Sequence, residues 1–311
     1  MSRIGIIGVG HVGAAVAYAL ILRHVARELL LVDTKVDRRD GQVRDLSDVA
    51  SVVAGEQKHS TRVRAATHHE AARECDIIVL TAGSKYTLGE TSMQHLYCKI
   101  AITRSILAAM KPIRPDAILL VVSNPVDLLT SLARELSGLP PAQVLGTGTC
   151  LDSDRLRAMA AQRTGASQNA VDLFVIGVHG HSQVPAWSTA TIAGKPIQDT
   201  LVAQHPKVLL ADECKRRSEG IFRAKGSTEC GVAAVICRLC ESILRDERIV
   251  KPVSHFQPDY LCCFSLPAVL GREGVLRTVT LPLDEAETEE VDKSAKGLRQ
   301  AMEQIKEDSV V

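Results

Sequence analysis

Neither sign of charge dominates this chain of 311 residues, in which 37 Lys and Arg stand against 36 Asp and Glu. No basic stripe interrupts that balance, which argues against the clustered positive charge that nucleic-acid and anionic membrane surfaces require. No apolar run reaches the roughly 18 residues that a membrane-spanning helix needs. Internal repeats, low-complexity tracts and an obvious linker are missing as well. The sequence opens directly on an apolar strand, Arg3 to Gly8, so no export leader is expected and the cytoplasm is the expected location. The nine cysteines are odd in number and scattered, as suits a reducing compartment. They include a single C-x-x-C, Cys237 to Cys240, inside an apolar helical stretch. Without a second pair at ligand spacing, no metal is expected, and these thiols read as small core residues.

With 46% apolar and 23% charged residues, the composition is that of a globular protein. Its length exceeds what one core ordinarily supports, so two packed units are expected, residues 1–148 and 149–311. In the first half, strands at 3–8, 28–33, 61–66, 77–82, 117–123 and 143–147 alternate with helices at 11–24, 39–50, 91–111, 126–137 and 152–164. That order predicts an α/β fold, a Rossmann-type doubly wound parallel sheet. The runs Ile77–Leu80 and Ile118–Val122 are apolar throughout, which calls for helices on both faces. Beyond residue 150 the pattern becomes α+β: a strand at 170–177, a hairpin at 184–198, helices at 207–223 and 228–245, β segments from 249 to 280 and a closing helix at 285–306.

The first strand runs into Gly8-Val9-Gly10-His11-Val12-Gly13 and then a helix. In that context Gly8 allows the tight turn, Gly10 lets a pyrophosphate approach the backbone, and Gly13 lets helix and strand pack closely. The free N–H groups of the first helical turn, at Val12 and its neighbours, face the phosphates. Asp33 ends the next strand, 20 residues past Gly13. A carboxylate there accepts from ribose hydroxyls and repels a 2′-phosphate, pointing to NAD, with Arg38 softening that preference.

A second constellation carries chemistry. Asp152 and Arg155 are three residues apart on a predicted helix, so both project from one face. His179 stands between Val178 and Gly180, just after a strand and Gly177. Histidine is the natural proton carrier near pH 7, and a carboxylate on its other nitrogen fixes the tautomer.

In order and spacing these segments resemble the NAD-dependent L-lactate/malate dehydrogenase family, nearer its lactate branch. The likeness covers almost the whole chain: G-V-G-H-V-G with Asp33, T-A-G at 81–83, G-E-T at 89–91, S-N-P-V-D at 123–127, L-D-S-x-R at 151–155, H-G at 179–180, K-G-S-T at 225–228 and S-L-P-A-V-L-G at 265–271. The resemblance implies that His179 exchanges the proton, Asp152 orients its imidazole, and Arg155 grips the substrate carboxylate. It also implies that Asn124 faces the substrate oxygen or nicotinamide, that Thr228 lines the pocket, and that Ala82, Gly83 and Ser123 run beside the cofactor. The implied partner is a small 2-oxo or 2-hydroxy acid, and the implied assembly is a homodimer or homotetramer.

The pattern breaks in the loop after the fourth strand. Ser92 occupies the position of an arginine that polarises the reacting carbonyl, with register fixed on both sides by T-A-G and G-E-T. Losing one preorganised cationic donor costs about 3–4 kcal/mol of barrier, or roughly 10²–10³ in rate. Tyr86 stands where the resemblance expects glutamine or arginine to select the substrate side chain. It suggests an apolar or aromatic substituent bulkier than that of pyruvate, or simply packing of the closed loop. Ser92, His95 and Lys99 share one helical stripe, and Lys85 rides on the loop; these are read as solvated polar residues in preference to a replacement cation. Val178 and His181 replace a usual Glu and Asp beside H-G. That removes negative charge and favours a lower His179 pKa, although the net shift depends on what else surrounds the ring. Three readings remain open: a 2-hydroxy-acid dehydrogenase turned away from pyruvate, the same relay applied to an imine, another carbonyl or a redox-neutral reaction, and a catalytically weakened NAD-binding homologue.

Overall fold

The computed structural model describes residues 2–54, 60–84, 89–201 and 207–308. Its first half runs β1 (Arg3–Ile7), α1 (His11–Leu22), β2 (Glu28–Val32), α2 (Val36–Ala54), β3 (Arg62–Ala65), α3 (His68–Glu74), β4 (Ile77–Leu80), α4 (Ser92–Met110), β5 (Ile118–Val121), α5 (Val126–Ser137) and β6 (Val144–Gly146). These six strands are parallel, in spatial order 3-2-1-4-5-6. Alternation decides which face each residue covers. Ile78, Leu80, Leu119 and Val121 pack beneath α3, α4 and α5, while Ile77, Val79, Ile118 and Leu120 pack beneath α1 and α9 (Glu229–Leu244). Both faces are therefore dry, as the unbroken apolar strands demand.

The second half continues α6 (Cys150–Thr164), β7 (Val171–Asp172), β8 (Val175–Ile176), β9 (Val184–Pro185), β10 (Thr191–Ile192), β11 (Lys195–Pro196), α7 (Ile197–Leu201) and α8 (Lys207–Lys225). After α9 come β12 (Ile249–Gln257), β13 (Cys262–Gly271), β14 (Gly274–Thr278) and α10 (Glu285–Asp308). Strands β12 to β14 extend the first sheet antiparallel from the β6 edge, through a pairing of Ser254 with Gly146, to make nine strands in all. Cys237 and Cys240 lie buried on α9 in the cluster it shares with α1, which is the core role expected of them. No helix among the described residues is long and apolar enough to cross a membrane.

Two expectations change. The strand expected at 170–177 divides into β7 and β8, because Val171 and Asp172 pair with β10 whereas Val175 and Ile176 pair with β9. The hairpin expected at 184–198 shrinks to β10–β11, turned by Ala193 and Gly194 at φ 50° and 78°. Helix α3 was not expected at all. A capping box starts it, with Glu70 N donating to Thr67 Oγ1 at 3.2 Å and Thr67 N donating to Glu70 at 2.7 Å.

Candidate active site

The C-terminal ends of β1, β2 and β4 open into a cleft of about 660 Å³, where the strand order reverses direction. Gly8, Gly10, Asp33, Arg38, Ala82 and Gly83 line it. The turn after β1 is locked in place: Gly8 has φ +95°, and a Cβ on Gly13 would stand 2.0 Å from Gly8 O. A Cβ on Gly10, by contrast, would meet nothing within 4 Å and would project into open space. That open approach beside a helix N-terminus is what a pyrophosphate needs, so these residues fit a dinucleotide. Asp33 is pinned at the end of β2, its Oδ2 accepting from Val9 N at 3.0 Å and its Oδ1 from Lys35 N at 2.8 Å. Each oxygen keeps a lone pair for a ribose hydroxyl.

The cleft continues into a groove of about 570 Å³ that it shares with Gly10, Arg38 and Gly83, and that Val12, Gly13 and Thr228 also line. Thr228 in turn belongs to a smaller cavity of about 100 Å³, walled by Asn124, Asp152, Arg155, His179 and Ser218 among others. The three cavities thus lie in sequence between Asp33 and His179, neighbouring ones sharing lining residues. Ser123 stiffens its wall, donating from Oγ to Ala82 O at 2.5 Å.

Within the small cavity, His179 Nδ1 lies 2.9 Å from Asp152 Oδ2. A carboxylate only accepts, so Nδ1 carries the proton and Nε2 is left for a ligand. Asp152 is 3% exposed. Burial alone would raise its pKa, but the hydrogen bond and charge of His179, with Arg155 behind, hold it below the usual carboxylate value. Burial pulls the imidazole down, yet the Asp152 bond and charge, aided by Asp127, lift His179 above its ordinary value. The lowering expected from Val178 and His181 is thus not the outcome, because Asp152 and Asp127 supply the negative charge that the turn itself lacks. Arg155 is half-buried, and burial pulls its pKa down against the Asp152 charge. Its Nη1 donates to Ser218 Oγ.

The turn carrying His179 is fixed from behind. Its backbone N–H donates to Asp127 Oδ2 at 2.7 Å, Val178 N donates to Ser294 Oγ at 3.2 Å, and Gly180 N donates to Gln183 Oε1 at 3.2 Å. Asp127, Ser218 and Gln183 escaped the sequence reading. Asp127 lay within the quoted S-N-P-V-D, but nothing in one sequence says that it reaches another segment's backbone.

Ser92 is exposed as the first residue of α4, after the N-cap Thr91, and is not among the residues lining the three cavities. Tyr86 and Lys85 fall outside the described residues. His95 is not solvated as expected. It is 4% exposed, with Nδ1 3.2 Å from Glu90 Oε2 and 3.5 Å from Ser84 Oγ, because its helix face turns inward. Lys99 is half-buried, and burial lowers its pKa. Neither lines the cavity that holds His179.

Two domain-family models match the chain. The lactate/malate dehydrogenase NAD binding domain matches residues 2–146, and the lactate/malate dehydrogenase alpha/beta C-terminal domain matches residues 149–309. Among similar proteins, an L-lactate dehydrogenase A from Rhizopus oryzae is 39% identical, covering 96% of this chain and 91% of its own length. An L-lactate dehydrogenase from Deinococcus radiodurans is 37% identical, covering 97% and 99%. The crystal structure of a minor L-lactate dehydrogenase from Enterococcus mundtii superposes with a TM-score of 0.91 at 31% identity, covering 98% of each chain.

Proposed function

Because the chain belongs to the lactate/malate dehydrogenase family, and is accordingly an NAD-dependent oxidoreductase acting on CH–OH groups, we propose that it interconverts a 2-oxo acid bulkier than pyruvate with its 2-hydroxy acid. The observation that carries this reading is the His179–Asp152 pair at 2.9 Å in one cavity with Arg155 and Asn124. NADH, when bound, supplies the hydride that adds to the carbonyl carbon. The C=O π pair then moves to oxygen, which takes the proton of His179 Nε2 and leaves a neutral imidazole. Asp152 stabilises the imidazolium before transfer and holds the ring so that Nε2 is the nitrogen that exchanges the proton. Arg155 binds the substrate carboxylate through its planar fork, a contact lysine cannot reproduce. Asn124 bonds the substrate oxygen or the nicotinamide side, Thr228 bounds the pocket, and Ser123, Ala82 and Gly83 border the cofactor. Residues 1–148 hold the cofactor, and residues 149–311 supply the relay.

The sequence supports the preference for bulk, since Ser92 is smaller than the arginine that the resemblance expects and an aromatic residue, Tyr86, stands in place of the expected glutamine or arginine. NADH oxidation by a panel of 2-oxo acids tests this. Branched or aromatic side chains giving higher kcat/KM than pyruvate support it, and pyruvate leading the panel refutes it. The neutral Ser92 also favours a second reading, since an imine that is already cationic needs no polarising arginine; turnover of a cyclic imine in place of every 2-oxo acid would establish that instead. The nine unpaired cysteines support a cytoplasmic location, and sedimentation of the purified protein distinguishes the proposed homodimer from a homotetramer.

A further inference from the structure

Where the dinucleotide cleft meets the end of β2, positive charge outnumbers negative. Asp33 is the only carboxylate among the described residues that line the cleft, and Lys35, Arg38 and His68 line it too. These three come from different places: Lys35 from the turn after β2, Arg38 from the first turn of α2, and His68 from the start of α3. Lys35 O already accepts from Arg39 N at 3.0 Å, so the helical ladder begins at Lys35. Lys35 and Arg38 are then i and i+3 on one helix face. The acids nearest to them in sequence do not cancel this charge. Asp37 and Asp40 do not line the cleft, and Asp40 Oδ1 accepts from Arg39 Nε at 2.8 Å.

Asp33 itself is screened. Both of its oxygens accept from backbone N–H groups, of Val9 and Lys35, and the second bond folds the Lys35 backbone onto the carboxylate. Two amide dipoles and two permanent cations therefore act against one negative charge at this corner. His68 reaches the same corner from the other side. Burial lowers its pKa while the Asp33 charge works in the opposite direction. A neutral imidazole still donates one N–H, so His68 adds a hydrogen-bond donor whether or not it is charged.

We propose that the cleft takes the 2′-phosphorylated dinucleotide NADPH as well as NADH, with Lys35 and Arg38 holding the additional phosphate beside Asp33 and His68 donating to it from α3. An acid at the end of the second strand ordinarily excludes that phosphate by repulsion. Here the two cations outweigh the single acid, and Asp33 keeps its role toward the ribose hydroxyls of NADH. The inference rests on the dinucleotide cleft and not on the choice of 2-oxo acid.

Isothermal titration of the protein with NADPH and, separately, with NADH tests this at neutral pH and constant ionic strength, with no 2-oxo acid present. In the wild type the Kd for NADPH should lie within about thirtyfold of that for NADH, and a wider gap overturns the proposal. Lys35→Gln/Arg38→Gln loses two charge-assisted contacts, so NADPH should bind at least about tenfold more weakly while the Kd for NADH changes by less than about threefold. Equal weakening of both cofactors would place the two cations on a part that NADH shares, and unchanged NADPH binding would remove them from the site; either result refutes the assignment. His68→Ala should likewise weaken NADPH more than NADH, and an equal effect on both refutes its part. Gly10→Ala should weaken both cofactors alike, and NADPH binding that survives it would lie outside the cleft and overturn the proposal. Thermal melts confirm that each variant is folded. Because binding is read without turnover, failure of this inference and failure of the dehydrogenase reading are told apart.

Discussion

Asp127, in the first turn of α5, accepts the backbone N–H of His179 at 2.7 Å and so ties the Asn124 segment to the catalytic turn. Burial pushes the carboxyl group of Asp127 above its usual pKa, against the lowering effect of the Ser254 hydroxyl and the His179 N–H. Its role is to hold the backbone, which does not require charge. Asp127→Asn keeps an acceptor oxygen and should retain most activity. Asp127→Ala strands a buried N–H and should lose about 1–3 kcal/mol of stability along with a marked drop in kcat. Thermal melts alongside kinetics check this; equal losses in both variants would show that the charge itself is needed.

The raised pKa of His179 fixes the pH dependence. Reduction needs the imidazolium, so reductive kcat/KM should be full at low pH and fall as pH rises through the folded-state value, above that of free histidine. The same group's stability contribution is complete below the unfolded pKa and is lost over that window. Asp152→Asn removes the charge that lifts the ring and should move the falling limb to lower pH, as well as lowering kcat. A limb that stays in place would show that Asp152 does not set the proton affinity.

Gly10 and Gly13 separate binding from folding. Gly13→Ala forces a Cβ to within 2.0 Å of Gly8 O and should cost about 1–3 kcal/mol of stability. Gly10→Ala meets no protein atom within 4 Å, so the melting temperature should hold while NADH affinity falls. Calorimetry and NADH titration check the pair. Undiminished NADH binding by Gly10→Ala would mean that the cofactor does not pass over this turn.

Ser92→Arg restores the guanidinium that the resemblance expects at this position. If the site is otherwise complete, pyruvate turnover should rise by about 10²–10³, the usual worth of one preorganised donor. Steady-state kinetics with pyruvate decides it, and an unchanged rate would show that the site departs from the family in more than this position.

Much of this was legible beforehand because it follows from short-range rules. Unbroken apolar runs such as Ile77–Leu80 can only be strands covered on both faces, and glycines between a strand and a helix have few other uses. Asp152 and Arg155 share a helix face by spacing, and the resemblance supplied His179 as their partner. What stayed hidden depends on distant segments meeting. Helix α3 has only seven residues and rests on its cap and burial more than on periodicity. β7 and β8 are separated by the partners they find, and His95 is buried on the inward face of α4. The second layer around His179 is drawn from α5, Gln183 and α10, three places that no local pattern connects.

The central claim is that His179 exchanges the proton in a reaction whose hydride comes from NADH. The direct measurement is NADH oxidation with the preferred 2-oxo acid by the wild type and by His179→Ala, with NADH affinity titrated in parallel. A loss of about 10²–10⁴ in kcat at unchanged NADH affinity is predicted. Turnover that survives the substitution intact would contradict it.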